Sequence, residues 1–289
     1  MPELPEVETI RKGLEKYLLK HKMIGVEVKL QKIITGDTKK IIGAKIKKVR
    51  RFGKALVIDL DNGYSLAIHV KLTGQLIYQH GKLGKDTAWA KLGGRLPSKW
   101  THVIFHLDRG ANLYYNDIRR FGWIRIVSTS DVEQLPFIHE LGPEPFVGIA
   151  SSGRAPLTLE KFREILKNRS TKIKPLLMDQ KKIGGVGNIY ANDALLLARI
   201  DPRRAAKSLS SREQPKLYDA ILEVLKRGLK YGGATEMNFV NALGQEGGYQ
   251  KYFLAYGQDG KPCPNKCGGT IKKIRIGGRG TYFCPACQK

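Results

Sequence analysis

All four cysteines of this chain lie in its last 27 residues, spaced C-x3-C-x16-C-x2-C through Cys263, Cys267, Cys284 and Cys287. No other feature restricts a fold so tightly. Two short-spaced pairs set apart by a longer stretch are the pattern of two knuckles that offer thiolates to one tetrahedral metal ion. The competing arrangement is two disulfides in a small tail. Disulfides belong to oxidising compartments, and this chain opens with no charged segment followed by an apolar one and has no apolar run near ~18 residues. A soluble intracellular protein that is not secreted is therefore expected. Four thiolates leave no coordination position for water, so one structural zinc per chain is expected, in a ribbon over 259–289.

The rest of the chain is strongly basic. Lys and Arg number 51 against 26 Asp and Glu, a net charge of +25. Solubility needs only about 2–8 charges in a small domain, and a larger excess is unfavourable for a compact protein unless a polyanion is near. Nucleic acid is the leading partner class and a membrane surface the second.

Residues 1–130 read as a leading helix followed by β structure. Val7, Ile10, Leu14 and Leu18 have helical spacing. The run KALVIDLDNGYSLAIHV places Asp61-Asn62-Gly63 between two apolar, β-branched stretches, a hairpin signal. THVIFHLDRGANLYY repeats that design, and WIRIV over 123–127 alternates again. Short antiparallel strands of this kind indicate a sandwich or barrel. Residues 131–157 hold Pro136, Pro143, Pro145 and Pro156 with Ser151-Ser152-Gly153, a linker or domain edge. Helices are expected over 158–258. One is capped by Thr158, two flank IGGVGN, and a longer one through Leu217, Ile221, Val224, Leu225 and Leu229 ends at Gly232-Gly233. GATEMNFVNALGQEGGYQ over 233–250 reads as a loop. The fold class expected is α+β.

Three short stretches carry chemistry. The chain opens MPELPEVETI, with Pro2 ahead of the helix and Glu3 and Glu6 at its start. Acidic residues suit a helix N-terminus, but that does not account for Pro2. IGGVGN is a glycine-rich turn feeding Asn188 and a helix, which suits an anion. It lacks the Gly-Lys-Ser/Thr of a nucleotide-binding loop, so an ordinary tight turn is the alternative. DIRRFGW sets Arg119 and Arg120 beside Phe121 at a strand start, a cation and a flat wedge suited to a duplex, or else a solvated pair beside a core ring. VRRFGK, with Lys54 after a glycine, has similar chemistry or is a surface basic run.

Taken together, seven blocks resemble one family in order and spacing: PELPEVE at 2–8, RRFGK at 50–54, HVKLTG at 69–74, DIRRFG at 117–122, LGPEP at 141–145, GVGNIYA at 185–191 and GRGTYFCPAC at 278–287. The chain is similar to the formamidopyrimidine-DNA glycosylases across nearly its whole length. The resemblance implies an N-terminal β-sandwich with a leading helix, a helix–two-turn–helix domain and a zinc ribbon. It also implies a glycosylase and abasic-site lyase of base-excision repair. Such an enzyme removes oxidised purines such as 8-oxoguanine and formamidopyrimidines from damaged double-stranded DNA, then nicks the strand. It would act as a monomer in the cytoplasm, at the nucleoid.

The resemblance assigns roles residue by residue. Met1 is removed and the Pro2 amine becomes the nucleophile; Glu3 is the acid/base residue and Glu6 supports it. Lys54 contacts phosphate and donates a proton in β-elimination. Arg279, with Asn188, grips the phosphates of the flipped nucleotide and assists δ-elimination. Leu72, Arg119 and Phe121 fill the hole left by the extruded base, Lys174 is counted among the DNA-binding residues, and 233–250 is the lid. Leu72 stands where the family usually has Met, Trp100 where a DNA-contacting His is common, and the stretch 74–100 is expanded. Two rival readings are an endonuclease VIII-type enzyme for oxidised pyrimidines and a non-catalytic DNA-binding protein. The first typically opens Pro-Glu-Gly-Pro, where this chain has Leu4, and intact Pro2, Glu3, Lys54 and Arg279 argue against the second.

Overall fold

A computed structural model describes residues 1–81, 95–145 and 155–289 of the chain. The cluster Ser151-Ser152-Gly153 and residues 82–94 of the expanded stretch lie outside the described residues. The chain divides into two compact units, one of Met1–Glu140 with Tyr231–Gln250 and one of Leu141–Lys230 with Lys251–Lys289.

The first unit opens with helix α1 (Leu4–Leu18), which has Pro5 in its first turn, where a missing N–H costs nothing. Leu4, Val7, Ile10, Leu14 and Leu18 form its buried stripe. Among the described residues nine strands follow: β1 (Met23–Val28), β2 (Ile34–Thr35), β3 (Ile46–Phe52), β4 (Ala55–Leu60), β5 (Tyr64–His69), β6 (Gly74–His80), β7 (Thr101–Leu107), β8 (Ala111–Asp117) and β9 (Trp123–Ser128). A short helix, α2 (Pro136–His139), comes after them.

The strands form two sheets, ordered β1-β7-β8-β6 and β2-β9-β5-β4-β3. Val103, Phe105 and Leu113 of the first sheet share one core with Val49, Ile58, Ile68 and Ile124 of the second and the stripe of α1. Both expected hairpins form. Asp61-Asn62-Gly63 joins β4 to β5, with Gly63 at φ +83°, and Asp108-Arg109-Gly110 joins β7 to β8. One pairing departs from the antiparallel expectation. β2 runs parallel to β9, Ile34 opposite Ile124, and the two strands are far apart in the chain, so no hairpin fixes their relative direction.

The second unit carries helices α3 (Leu159–Leu166), α4 (Ile173–Met178), α5 (Asn188–Leu197) and α6 (Glu213–Lys230). Thr158 caps α3 by accepting from the Lys161 N–H at 3.1 Å. Gly228 lets α6 approach α5, since a Cβ there would stand 2.4 Å from the Tyr190 hydroxyl. A two-stranded ribbon, β10 (Lys272–Ile276) and β11 (Arg279–Phe283), turns at Gly277-Gly278, both at positive φ.

Candidate functional site

At the head of α1, Pro2, Glu3 and Glu6 are all buried. Glu3 is the N-cap, with extended backbone. The Glu6 carboxylate accepts the Glu3 N–H at 2.7 Å with one oxygen and the Ala234 N–H at 2.8 Å with the other. It thereby ties the start of the chain to the returning segment Tyr231–Gln250 of the same unit. Gly233 makes this possible: it sits at φ +82°, and a Cβ there would meet Glu6 Cγ at 2.9 Å.

Lys54 follows Gly53, at φ +56°, in the turn between β3 and β4, and is buried. The turn is fixed from beneath. Arg51, fully buried, donates from Nη1 to the Gly53 carbonyl at 2.8 Å and from Nε to Glu8 at 3.0 Å. Glu8 also accepts a forked pair from Arg11 at 2.9 and 3.0 Å. Buried charges persist only when paired in this way. VRRFGK is thus no surface run at Arg51, and strand alternation with the core residue Val49 is the sequence signal for it.

His69 is half-buried, and its Nδ1 accepts the Lys71 backbone N–H at 3.0 Å, which leaves the ring proton on Nε2. Desolvation, with the charges of Lys71 and Lys54, pushes its pKa down to about 3, so the ring is neutral.

Arg119 and Phe121 lie in the loop between β8 and β9, a correction to their expected place at a strand start. Asp117 shapes this loop. Its carboxylate accepts the Gly122 N–H at 2.7 Å and a hydrogen bond from Thr73 Oγ1, and Thr73 Oγ1 in turn accepts the Arg119 N–H at 2.9 Å. Thr73 is the neighbour of Leu72, so all three expected void-filling residues are referred to one carboxylate. Phe121 is 55% exposed, with the Arg119 guanidinium 4.9 Å from its ring centre. The carbonyl of Trp100 accepts the Asp117 N–H at 3.0 Å, and His102 donates to the Asp117 carbonyl at 2.7 Å, so this stretch buttresses the same loop.

In the second unit, Asn188 is the first residue of α5 and half-buried. Gln180 shapes the preceding turn, accepting from the Gly185 N–H at 2.9 Å and donating to the Val186 carbonyl at 2.8 Å. Arg279 is exposed at the start of β11. Lys174, expected among the DNA-binding residues, lies on α4. It is 1% exposed, and its Nζ donates to the Gly280 carbonyl at 2.7 Å and to Thr281 Oγ1 at 2.8 Å. It supports the hairpin beside Arg279 because its stem runs inward from α4. Asp193, which no sequence signal marked, accepts the N–H groups of Ala255 and Tyr256 at 2.9 and 3.1 Å.

The four cysteine Sγ atoms lie within 4.8 Å of one another, with 3.7 Å between Cys263 and Cys287 and 3.5 Å between Cys267 and Cys284. Zn–S bonds of about 2.3 Å in a tetrahedron put sulfurs about 3.8 Å apart. The donor set therefore fits one zinc with no position left over. The thiols are unpaired, as a metal requires and a disulfide does not.

Three family models match in succession: the formamidopyrimidine-DNA glycosylase N-terminal domain over residues 1–124, its H2TH domain over 141–239, and the zinc finger found in FPG and IleRS over 260–289. The formamidopyrimidine-DNA glycosylase of Pelotomaculum thermopropionicum is 43% identical, the match covering 100% of this chain and 99% of the relative. That of Desulforamulus reducens is 41% identical with the same coverage. Among solved structures, the Lactococcus lactis Fpg in complex with abasic-site DNA matches with TM-score 0.85 and 32% identity over 99% of both chains. A Lactococcus lactis FPG mutant bound to Fapy-dG-containing DNA matches with TM-score 0.86 and 32% identity over 100% of both. No helix among the described residues is long and apolar enough to cross a membrane.

Proposed function

This chain belongs to the formamidopyrimidine-DNA glycosylase family, and we propose that it excises oxidised purines from duplex DNA through the amine of Pro2, then cleaves the abasic site by β- and δ-elimination. The observation that carries this reading is the head of α1. Glu3 is buried there beside Pro2, and Glu6 anchors the turn from both sides.

Removal of Met1 turns Pro2 into a secondary amine. Attack on the deoxyribose C1′ breaks the glycosidic bond and leaves an iminium, which must stay cationic because the nitrogen keeps no proton to lose. That electron sink acidifies the C2′ proton, and its removal expels the 3′ phosphate. The amine must be deprotonated to attack, and an α-amino group titrates near ~8. Glu3 protonates the sugar oxygen or relays protons. Lys54 meets phosphate and donates in β-elimination. Asn188 and Arg279 grip the phosphates of the extruded nucleotide, while Leu72, Arg119 and Phe121 enter the stack it leaves. Extrusion is required because C1′ and the lesion cannot be reached inside the duplex. When bound, zinc holds Cys263, Cys267, Cys284 and Cys287 together and keeps the β10–β11 hairpin, with Arg279, in shape.

In this reading 1–130 carries the chemistry, 131–157 joins, 158–258 grips DNA, 259–289 is the ribbon, and 233–250 closes over the base. The enzyme works as a monomer on damaged duplex in the cytoplasm, at the nucleoid. Borohydride reduction during incubation with an 8-oxoguanine:C duplex should yield a covalent adduct whose attached peptide begins at Pro2. An adduct on a lysine, with Pro2→Gly fully active, would overturn the reading.

A further inference from the structure

Asn192 occupies the second turn of α5, a helix otherwise rich in Ala and Leu, and is 1% exposed. Asparagine is a weak helix former with a buried amide to satisfy. The polar contacts of that amide run to Asn188 and to the strand that begins at Arg279, the two places of the proposed phosphate contacts. Its Nδ2 donates to the Asn188 carbonyl at 2.6 Å and stands 3.4 Å from Asn188 Oδ1. Its Oδ1 accepts the Tyr282 N–H at 2.8 Å. The orientation is forced, because a backbone N–H only donates and a carbonyl only accepts.

We propose that Asn192 is a positioning residue for phosphate binding, locking the Asn188 side chain and the strand that carries Arg279 into one frame. Two consequences follow from the bonds. With its Oδ1 turned toward the Asn192 amide, Asn188 presents its own NH2 outward, and only that end of an amide attracts a phosphate. Strand β11 has one strand neighbour, β10, so alternate N–H groups along it need partners elsewhere. Asn192 takes the one at Tyr282, three residues beyond Arg279. A carboxylate in its place would repel the Asn188 carbonyl, and a leucine of similar size would satisfy neither side.

The proposal rests on the reading of Asn188 and Arg279 as phosphate contacts, and its test separates the two. Affinity for a duplex with a stable abasic-site analogue is measured against salt for wild type, Asn192→Leu, Asn188→Ala and the double variant, with zinc content beside it. Asn192→Leu should keep one zinc, bind about tenfold more weakly, and lose about one phosphate from the salt slope. In the Asn188→Ala background the same change should cost about threefold, less than in wild type, because the part of its effect that runs through Asn188 is already gone while the part that runs through Tyr282 remains. Equal losses in both backgrounds, or wild-type affinity in Asn192→Leu, would overturn the proposal. An Asn188→Ala protein binding as tightly as wild type would instead sink the phosphate reading, and the proposal with it. Should Asn192→Leu fail to fold, Asn192→Ser decides. Its hydroxyl reaches the carbonyl four residues back but not Tyr282, so a loss smaller than that of Asn192→Leu is expected, similar in both backgrounds because it runs through the strand of Arg279, and wild-type affinity contradicts.

Discussion

In the unit that opens the chain, the site residues are held by buried charges. Glu8 is packed against Arg51, Arg51 holds the Gly53 carbonyl next to Lys54, and Glu6 spans Glu3 and Ala234. In the other unit, amides stand next to the site residues, Asn192 between Asn188 and Tyr282 and Gln180 in the turn before α5, while the buried carboxylate of Asp193 holds Ala255 and Tyr256 and four cysteines are spaced for one metal. The contrast follows from what each must present. A proton-handling pocket gains from low dielectric, where fixed charges act strongly. On the proposed reading, a phosphate grip must offer exposed positive and N–H groups. Lys174 is a buried cation that donates to the Gly280 carbonyl and the Thr281 hydroxyl, in the hairpin that carries the exposed Arg279.

Breaking each unit in its own way should sharpen the contrast. The largest effect is expected at the metal. Structural zinc supplies apparent binding free energies of about 10–16 kcal/mol in small domains, so Cys284→Ser should lose zinc and DNA cleavage while the β-rich unit stays folded. Elemental analysis, circular dichroism and a nicking assay read this out, and a zinc-free protein that still cleaves would contradict it. Next comes Arg51→Met, which removes one of the two arginines paired with Glu8 and the donor to the Gly53 carbonyl. A loss of about 1–3 kcal/mol is expected, measured by urea unfolding. A loss below about 1 kcal/mol would mean that Glu8 is not held as described. The smallest effect is a pH dependence. His69 has its pKa lowered to about 3 in the folded protein, from 6.5. The unfolded chain therefore binds the extra proton first, and the group's contribution is intact above pH 6.5 and lost as pH falls toward 3. The slope is at most about 1.4 kcal/mol per pH unit. His69→Gln should flatten the stability profile in that window alone, and an unchanged profile would count against the assignment.

The ribbon was legible in the sequence because its information is local: four cysteines whose spacing alone implies two knuckles around one metal. The hairpins at Asp61-Asn62-Gly63 and Asp108-Arg109-Gly110 were legible for the same reason. Pro2 became meaningful only through the resemblance, since nothing near it in sequence demands a proline ahead of a helix. What stayed hidden joins distant residues. Glu6 meets Ala234 across 228 positions, and Glu8 looks like one more acid at a helix start until Arg51 is found beneath it. Asn192 stayed hidden for a different reason. It is one turn from Asn188, but an asparagine inside an apolar helix carries no pattern until the second partner, Tyr282, is in place.

The division of labour between the two units can be measured by comparing single-turnover excision of 8-oxoguanine opposite cytosine, at saturating enzyme, with affinity for an uncleavable abasic analogue. The two proteins to compare are Glu3→Gln and Asn188→Ala. The account predicts opposite outcomes. Glu3→Gln should lose about 10²–10⁴-fold in rate with affinity kept within about threefold, while Asn188→Ala should lose about tenfold in affinity and keep most of its saturated rate. If both variants fail in the same quantity, the bond-breaking and gripping functions are not separated between the two units, and the central claim is wrong.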